Sequence, residues 1–286
     1  MHNVQLKQDE SVDTSNIHKV QLLIHGQSVD ASNQATFERI SPVDGQVASI
    51  AAAATLADVD LAIASAAKAF PVWSKLSPTE RRLRLLKAAD LMDARTDQFI
   101  QIGMRETGST ATWYGFNVHL AANMLREAAA MTTQMDGSLI PSDVPGNMAM
   151  GIRVPCGVVV GIAPWNAPVI LPTRALAMPL ACGNTVVLKA SEACPATQRL
   201  IGQVLHEAGL GDGVVNVITH AAEDAPQIVE RLISHPAVKR INFTGSTKVG
   251  KIIAETAAKY LKPVLLELGG KAPVVVLNDA DVDEAV

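Results

Sequence analysis

Three features of this sequence predict an α/β fold with a Rossmann-like parallel sheet and helices on both of its faces. From Gly157 onward, short apolar runs alternate with helix-length segments, the rhythm of repeated strand–helix units. The runs are rich in valine, leucine and isoleucine without polar alternation, as in strands buried on both faces. The composition, 48% hydrophobic but only 3% aromatic, supplies a large aliphatic core.

Taken in order, residues 1–18 read as disordered and 20–24 as a short strand. Residues 37–40 lead into the turn Ser41-Pro-Val-Asp-Gly45. A helix over 58–70 presents Val59, Ile63, Ala66, Ala67 and Phe70 on one face. Ser77-Pro-Thr-Glu80 is a capping box with proline at the first helical position. The helix it opens is expected to run to about Met104, with Leu83, Leu86, Ala89 and Met92 at helical spacing and Glu106-Thr-Gly108 as its stop. Another helix follows over 112–133. Residues 137–158, broken by Pro141, Pro145 and Gly146, read as a hairpin arm suited to contact with a second copy of the chain. Strands then fall at 158–162, 185–188, 214–218, 240–243 and 264–266, with helices at 169–182, 195–208, 225–234 and 247–260. Val274-Val-Val-Leu277 begins a further strand. Ligands of such a sheet bind beyond the carboxyl ends of its strands.

Bulk properties narrow the function. A net charge of −4 without a long basic run argues against nucleic acid as a partner. Cys156, Cys182 and Cys194 are too few and too irregular for a disulfide framework, which predicts a reducing cytoplasm. Cys156 precedes a strand and Cys182 ends a helix, so both read as inert packing; Cys194 alone has a helix start to activate it. The scattered histidines form no metal pair. The polar start, Met1-His-Asn-Val, does not resemble a signal peptide. Val154–Thr173 is free of charge, but its four prolines break any single membrane-spanning helix.

The candidate chemistry lies at the strand ends. Ala163-Pro-Trp-Asn-Ala-Pro168 fixes Asn166 between two prolines; its amide either serves as a neutral donor to an oxyanion or closes its own turn. Lys189-Ala-Ser-Glu192 places a cation and an acid where ribose hydroxyls bind, an acid that disfavours a 2′-phosphate; Ser191 or Glu192 also serves as a cap for the next helix, and the two roles are compatible. Phe243-Thr-Gly-Ser246 opens a helix whose N-terminus suits a pyrophosphate, with Gly245 allowing close approach. Glu267 ends an apolar run before two glycines. It reads either as a desolvated carboxylate, its pKa raised toward that of a general base, or as one held by backbone N–H groups. Gly209-Leu-Gly-Asp-Gly213 precedes a strand instead of following one, so it is not a dinucleotide fingerprint.

Pro164-Trp-Asn166, Lys189-x-Ser-Glu192, Phe243-Thr-Gly-Ser246 and Glu267-Leu-Gly-Gly-Lys271, in that order, resemble the NAD(P)-dependent aldehyde dehydrogenase superfamily, over nearly the whole chain from about residue 20. The likeness leans toward bacterial enzymes for salicylaldehyde, benzaldehyde and vanillin. The resemblance implies the aldehyde dehydrogenase fold and NAD-dependent oxidation of an aldehyde to an acid, with NADP as the other cofactor of the family. Asn166 would donate to the oxyanion and Glu267 would activate water. Ile162, Trp165, Lys189, Ser191, Glu192, Gly245, Ser246, Val249, Gly250 and Leu268 would bind the cofactor. Trp113, Tyr114 and Arg174 are candidates for the substrate pocket, with aromatic core and an interdomain ion pair as the opposing reading. It also implies a homo-oligomer, dimer or tetramer, with no metal. Residues 19–136 and 159–270 would form the cofactor domain, 137–158 the oligomerisation arm and 271–286 the start of a catalytic domain. The family's nucleophilic cysteine falls beyond residue 286, so the chain is expected to be inactive alone. The competing expectation is a non-catalytic nucleotide-binding protein on the same fold.

Overall fold

The computed structural model describes residues 18–285. The expectation of disorder over 1–17 lies outside them; His18 itself begins a strand.

The N-terminal strands are β1 (His18–Val20), β2 (Leu22–Ile24), β3 (Gln27–Val29), β4 (Thr36–Ile40) and β5 (Val47–Ala52). The run expected as one strand, 20–24, is divided at Gln21. β1 pairs in parallel with β5, which pairs antiparallel with β4, whereas β2 leaves for the main sheet. His25 (φ 54°) and Gly26 (φ 74°) join β2 to β3, the left-handed pair that matches the twist of a two-residue hairpin.

Helix α1 (Leu56–Trp73) starts at a Thr55–Asp58 capping box, and α2 (Pro78–Ala94) at the Ser77–Glu80 box. The expected continuous helix to Met104 is instead two, α2 and α3 (Thr96–Thr107), broken at Arg95. Neither glycine nor proline marks the break. The Thr96 hydroxyl donates to the Asp93 carbonyl (2.7 Å), a local bond that competes with the helical ladder. Gly108 ends α3 with φ 72°, and α4 (Ala111–Met131) follows. An antiparallel hairpin, β6 (Ser138–Ile140) and β7 (Ala149–Gly151), stands within 137–158; Val158 itself belongs to the next strand.

The βα series is β8 (Val158–Ile162), α5 (Ile170–Ala181), β9 (Thr185–Lys189), α6 (Pro195–Glu207), β10 (Val215–Ile218), α7 (Ala225–Ser234), β11 (Val238–Gly245), α8 (Thr247–Lys259) and β12 (Val264–Leu268), with a last short helix α9 (Val282–Ala285). The main sheet has the order β12-β11-β8-β9-β10-β2-β3. Its first five strands are parallel, as expected; β2 and β3 add an antiparallel edge. Val159, Val186, Leu188 and Val217 pack on one face with residues of α2, α4, α5 and α6. Val158, Val160, Val187 and Ile241 pack on the other with residues of α1, α7 and α8. Residues 274–277 form no strand and stay exposed: apolar character alone does not make a strand without a neighbour to pair with.

A buried carboxylate ties these layers together. Glu106, at the end of α3, accepts from Ser49 Oγ (2.7 Å), Ala196 N (2.8 Å), Thr197 N (3.0 Å) and Thr197 Oγ1 (2.8 Å). It therefore caps α6 and fixes β5 beside it. Neither Ser191 nor Glu192 performs that capping.

Candidate functional site

Strand register aligns the ends of the parallel strands. Ile162 pairs with Lys189 on β9 and with Phe243 on β11, while Thr244 and Gly245 pair with Glu267 and Leu268 on β12. Lys189 also pairs with Ile218 on β10. The candidate residues thus share one edge of the sheet, as a doubly wound fold requires of a ligand site.

At the centre of this edge Lys189 is buried, and its ammonium lies 3.6 Å from Glu192 Oε2. Burial pulls the Lys189 pKa down, with the Glu192 charge opposing. For Glu192, burial pushes upward but the Lys189 ammonium and hydrogen bonds hold the net value below the ordinary range. Ser191 is buried; its N–H donates to Gln198 Oε1 (2.9 Å) and its hydroxyl accepts from Ala193 N (3.3 Å), which fixes the loop carrying Glu192.

Towards β11, Ser246 caps α8 by accepting from Val249 N (3.3 Å). Gly245 and Gly250 have reasons internal to the protein. A Cβ on Gly245 would fall 2.4 Å from the Phe243 ring, and one on Gly250 would fall 2.5 Å from a Leu268 methyl. These glycines let β11, α8 and β12 pack closely at the helix N-terminus. Val249 and Leu268 remain partly exposed beside it.

Beyond β8, Trp165 and Asn166 are exposed. The Asn166 carbonyl accepts from Trp113 Nε1 (3.2 Å), and its side-chain amide has no partner among the described residues. The turn-closing role is therefore not adopted, and the amide is available to a ligand. Trp113 stacks on Phe116, with ring centroids 5.6 Å apart and planes 23° apart. Phe116, missed in the sequence, lies on the exposed side of α4 with Trp113. Tyr114 does not: it is fully buried, its hydroxyl 3.1 Å from Thr107 Oγ1. Successive helical residues point about 100° apart, and the Tyr114 ring fills the space over Gly103, where a Cβ would fall 1.9 Å away. Tyr114 is core, not pocket, and burial pushes its phenol pKa up.

Glu267 follows neither of its two readings: its side chain is exposed, and among the described residues no backbone N–H donates to it. β12 is an edge strand, and only one of its faces is covered. With Arg174, also exposed, Glu267 lines a cavity of about 940 Å³ on the open side of β11 and β12, together with Arg153, Arg240, Asn242 and Leu265.

None of the cysteines joins this edge. Cys194 is buried below it, and desolvation followed by the charges of Glu106 and Glu192 raises its pKa well above normal. Cys156 and Cys182 lie at the opposite, N-terminal end of the strands, and burial raises both thiols. The Cys156 thiol and backbone N–H donate to Asn184 Oδ1 (3.2 and 2.7 Å). Among the described residues no cluster of His, Cys, Asp and Glu can hold a metal ion, and no helix is long and apolar enough to cross a membrane.

His220, just past the end of β10, was also missed. It is fully buried among these groups; burial first, then the Lys189 charge, lowers its pKa to about 4. The available signal was its place, a polar residue within a few residues of the end of a predicted strand, as Asn166 is.

The chain is 67% identical over 267 residues to vanillin dehydrogenase from Pseudomonas fluorescens, an alignment covering 93% of this chain and 55% of that protein. The crystal structure of a salicylaldehyde dehydrogenase from Pseudomonas putida G7 complexed with salicylaldehyde superposes with a TM-score of 0.89 at 48% identity, over 94% of this chain and 55% of that one. PnpE in complex with nicotinamide adenine dinucleotide gives a TM-score of 0.85 at 38% identity, over 93% and 54%. The chain therefore spans about half the length of the relatives it matches. The model of the aldehyde dehydrogenase family matches residues 29–286, and the chain belongs to that family.

Proposed function

We propose that the complete protein oxidises an aromatic aldehyde to its carboxylic acid with NAD. The observation that carries this reading is the single strand-end edge bearing Asn166, Lys189, Glu192, Ser246 and Glu267. The buried Lys189 and the part-exposed Glu192 beside it have donor and acceptor capacity to spare, which fits the adenosine ribose; the exposed N-terminus of α8 fits the pyrophosphate. Ile162, Trp165, Ser191, Val249 and Leu268 complete that path, and Gly245 and Gly250 permit its close packing. Bound there, NAD supplies the hydride acceptor. Glu192 favours NAD over NADP, because a 2′-phosphate would meet its carboxylate.

The chain's own groups divide the remaining work. The free amide of Asn166 donates to the aldehyde oxygen as negative charge develops on it. Glu267, on the open face of β12, accepts a proton from the water that releases the acid. The attacking thiolate would come from beyond these residues, since Cys194 is buried and Cys156 and Cys182 lie at the wrong end of the sheet. Residues 19–136 and 159–270 are assigned to the cofactor domain, 137–158 to an arm for self-association and 271–286 to the start of a catalytic domain.

An aromatic substrate is supported by the exposed Trp113–Phe116 stack, which is tied to the Asn166 loop, and by the aromatic aldehydes named for the relatives. Arg174 would face the substrate's ring oxygens. The test is an aldehyde panel with NAD and the complete protein. We expect aromatic aldehydes to exceed short aliphatic ones, and Trp113→Ala to shrink that preference by about tenfold, the value of a lost stacking contact with its burial. An unchanged preference removes Trp113 from the pocket, and no turnover of any aldehyde overturns the function.

A further inference from the structure

Away from the strand-end edge, one buried cation is left without a matching charge. Arg199, in the second turn of α6, is 8% exposed. Its Nε donates to the Gln21 carbonyl (2.9 Å) and its Nη2 to Ser28 Oγ (2.8 Å). Both acceptors are neutral. Nη1 is buried and has no partner among the described residues. Burial pulls the Arg199 pKa down to about 10, with the charge of Glu207 opposing, so the side chain remains a cation at neutral pH. Glu207 is itself committed to Arg95 and to Gln203 Nε2 (2.8 Å). A buried charge normally has a charged partner and satisfied donors. Arg199 has neither in full.

The side chain stands in the wall of a cavity of about 200 Å³ between β1, β3, α3 and α6. That is smaller than a pocket for a drug-sized ligand, and its lining indicates which small ligand fits. His18 and Lys19 come from β1, Ser28 from β3, Gln98 from α3, and Gln203, one turn after Arg199, from α6. Each can donate a hydrogen bond. None of the described lining residues is an acid; Asp30, whose carboxylate is 3.6 Å from the Lys19 ammonium, lies outside the lining. The charge of Arg105 adds to burial in lowering the pKa of His18, so a further positive field acts on this space. Lys19, Gln98 and Gln203 are exposed, which leaves the cavity open to solvent. It shares no residue with the strand-end site.

Donors and positive charge without a lining acid select an anion. The fork of Nε and Nη2 is already engaged, so the bidentate grip by which a guanidinium holds a flat carboxylate is closed. What remains is a set of donors from four elements around one small volume. That arrangement suits a tetrahedral oxyanion, whose oxygens point in different directions. We propose that this cavity binds a phosphoryl group, as free phosphate or as the end of a phosphate monoester, with Arg199 as its fixed buried cation and Lys19, Gln98 and Gln203 as donors around it.

The test is equilibrium dialysis of radiolabelled inorganic phosphate against the complete protein at constant ionic strength, with NAD present to fill the N-terminus of α8. The wild type should bind phosphate saturably, and acetate should displace it at least tenfold less well than unlabelled phosphate does. Methyl phosphate identifies the source: it competes as well as phosphate if the site takes a monoester, and poorly if it takes the free ion. Arg199→Gln, which keeps a donor but removes the charge, should weaken binding at least tenfold, the value of a hydrogen bond to a charged group. Gln98→Glu covers the case of a buried variant that does not fold, because Gln98 is exposed. Its carboxylate enters the lining in place of the anion, so phosphate binding should again fall at least tenfold. Phosphate should raise the thermal midpoint of the wild type and leave that of Gln98→Glu unchanged. Absence of saturable binding in the wild type overturns the proposal. So does displacement by acetate as strong as by phosphate, or binding that Gln98→Glu leaves intact.

Discussion

The middle of the main sheet and its β12 edge are built from similar residues but are finished differently. Every residue of β8, β9 and β10 is buried, whereas β12 alternates between half-buried and exposed. In the middle, helices cover both faces, so polar groups at the strand ends are buried, Lys189 beside Glu192 and His220 against its own backbone, and Glu106 of α3 is buried under the start of α6. At the edge, α8 covers one face and the other is open, displaying Leu265, Glu267 and the cavity they share with Arg174. The open edge is suited to meeting a further layer of protein, and the acid expected to handle water lies on that open side.

Core substitutions should sharpen this contrast most. Leu188→Ala in β9, where the side chain is wholly buried, should cost about 2–5 kcal/mol. This is read as a shift of the urea midpoint at constant slope. A loss below about 1 kcal/mol would mean that the middle of the sheet is not the packed layer described here.

Next in size is the pH dependence of the centre. The folded pKa of His220, about 4, is below its ordinary 6.5. The unfolded chain then binds the proton more readily. The neutral ring contributes stability above about pH 6.5 that is lost as pH falls toward 4. The full loss is about 3 kcal/mol. His18 and His235 are also lowered, chiefly by burial, and act in the same direction. The informative quantity is therefore the difference between wild type and His220→Gln at pH 7 and pH 5. Parallel profiles would mean that His220 is not held neutral by burial.

The smallest effect is expected at the edge. Leu265→Ala, about half exposed, should change the stability of this chain by no more than about 0.5 kcal/mol. A cost as large as that of Leu188→Ala would erase the distinction between the two regions.

The same contrast decides what could be read from the sequence. Buried parallel strands announce themselves through continuous valine-rich runs, so β8 to β12 were located to within a few residues, and the capping boxes at Ser77 and the cap at Ser246 fixed helix starts. β5 was missed because its run Val47-Ala-Ser-Ile-Ala-Ala52 mixes small residues without strict alternation. The α2–α3 break depends on one threonine hydroxyl. The exposure of Glu267 was not legible because a strand's sequence does not say whether it will be central or marginal; order in the sheet is a tertiary property. Trp113 and Tyr114 are neighbours in sequence, but only the wider geometry of α4 shows that one faces out and the other in. His220 belongs to no motif, and its burial next to the end of β10 shows only in the folded chain.

The most direct test of the account is the time course of NADH formation by the complete protein with an aromatic aldehyde, wild type against Glu267→Gln. If Glu267 activates the water that releases the acid, the variant should give a single burst of NADH, about one per site, with steady turnover reduced by roughly 10²–10⁴-fold. Its stability should be unchanged, since the side chain is exposed. Steady turnover at the wild-type rate would contradict the account. So would a variant that lost the burst together with turnover, because Glu267 would then act before the acid is released.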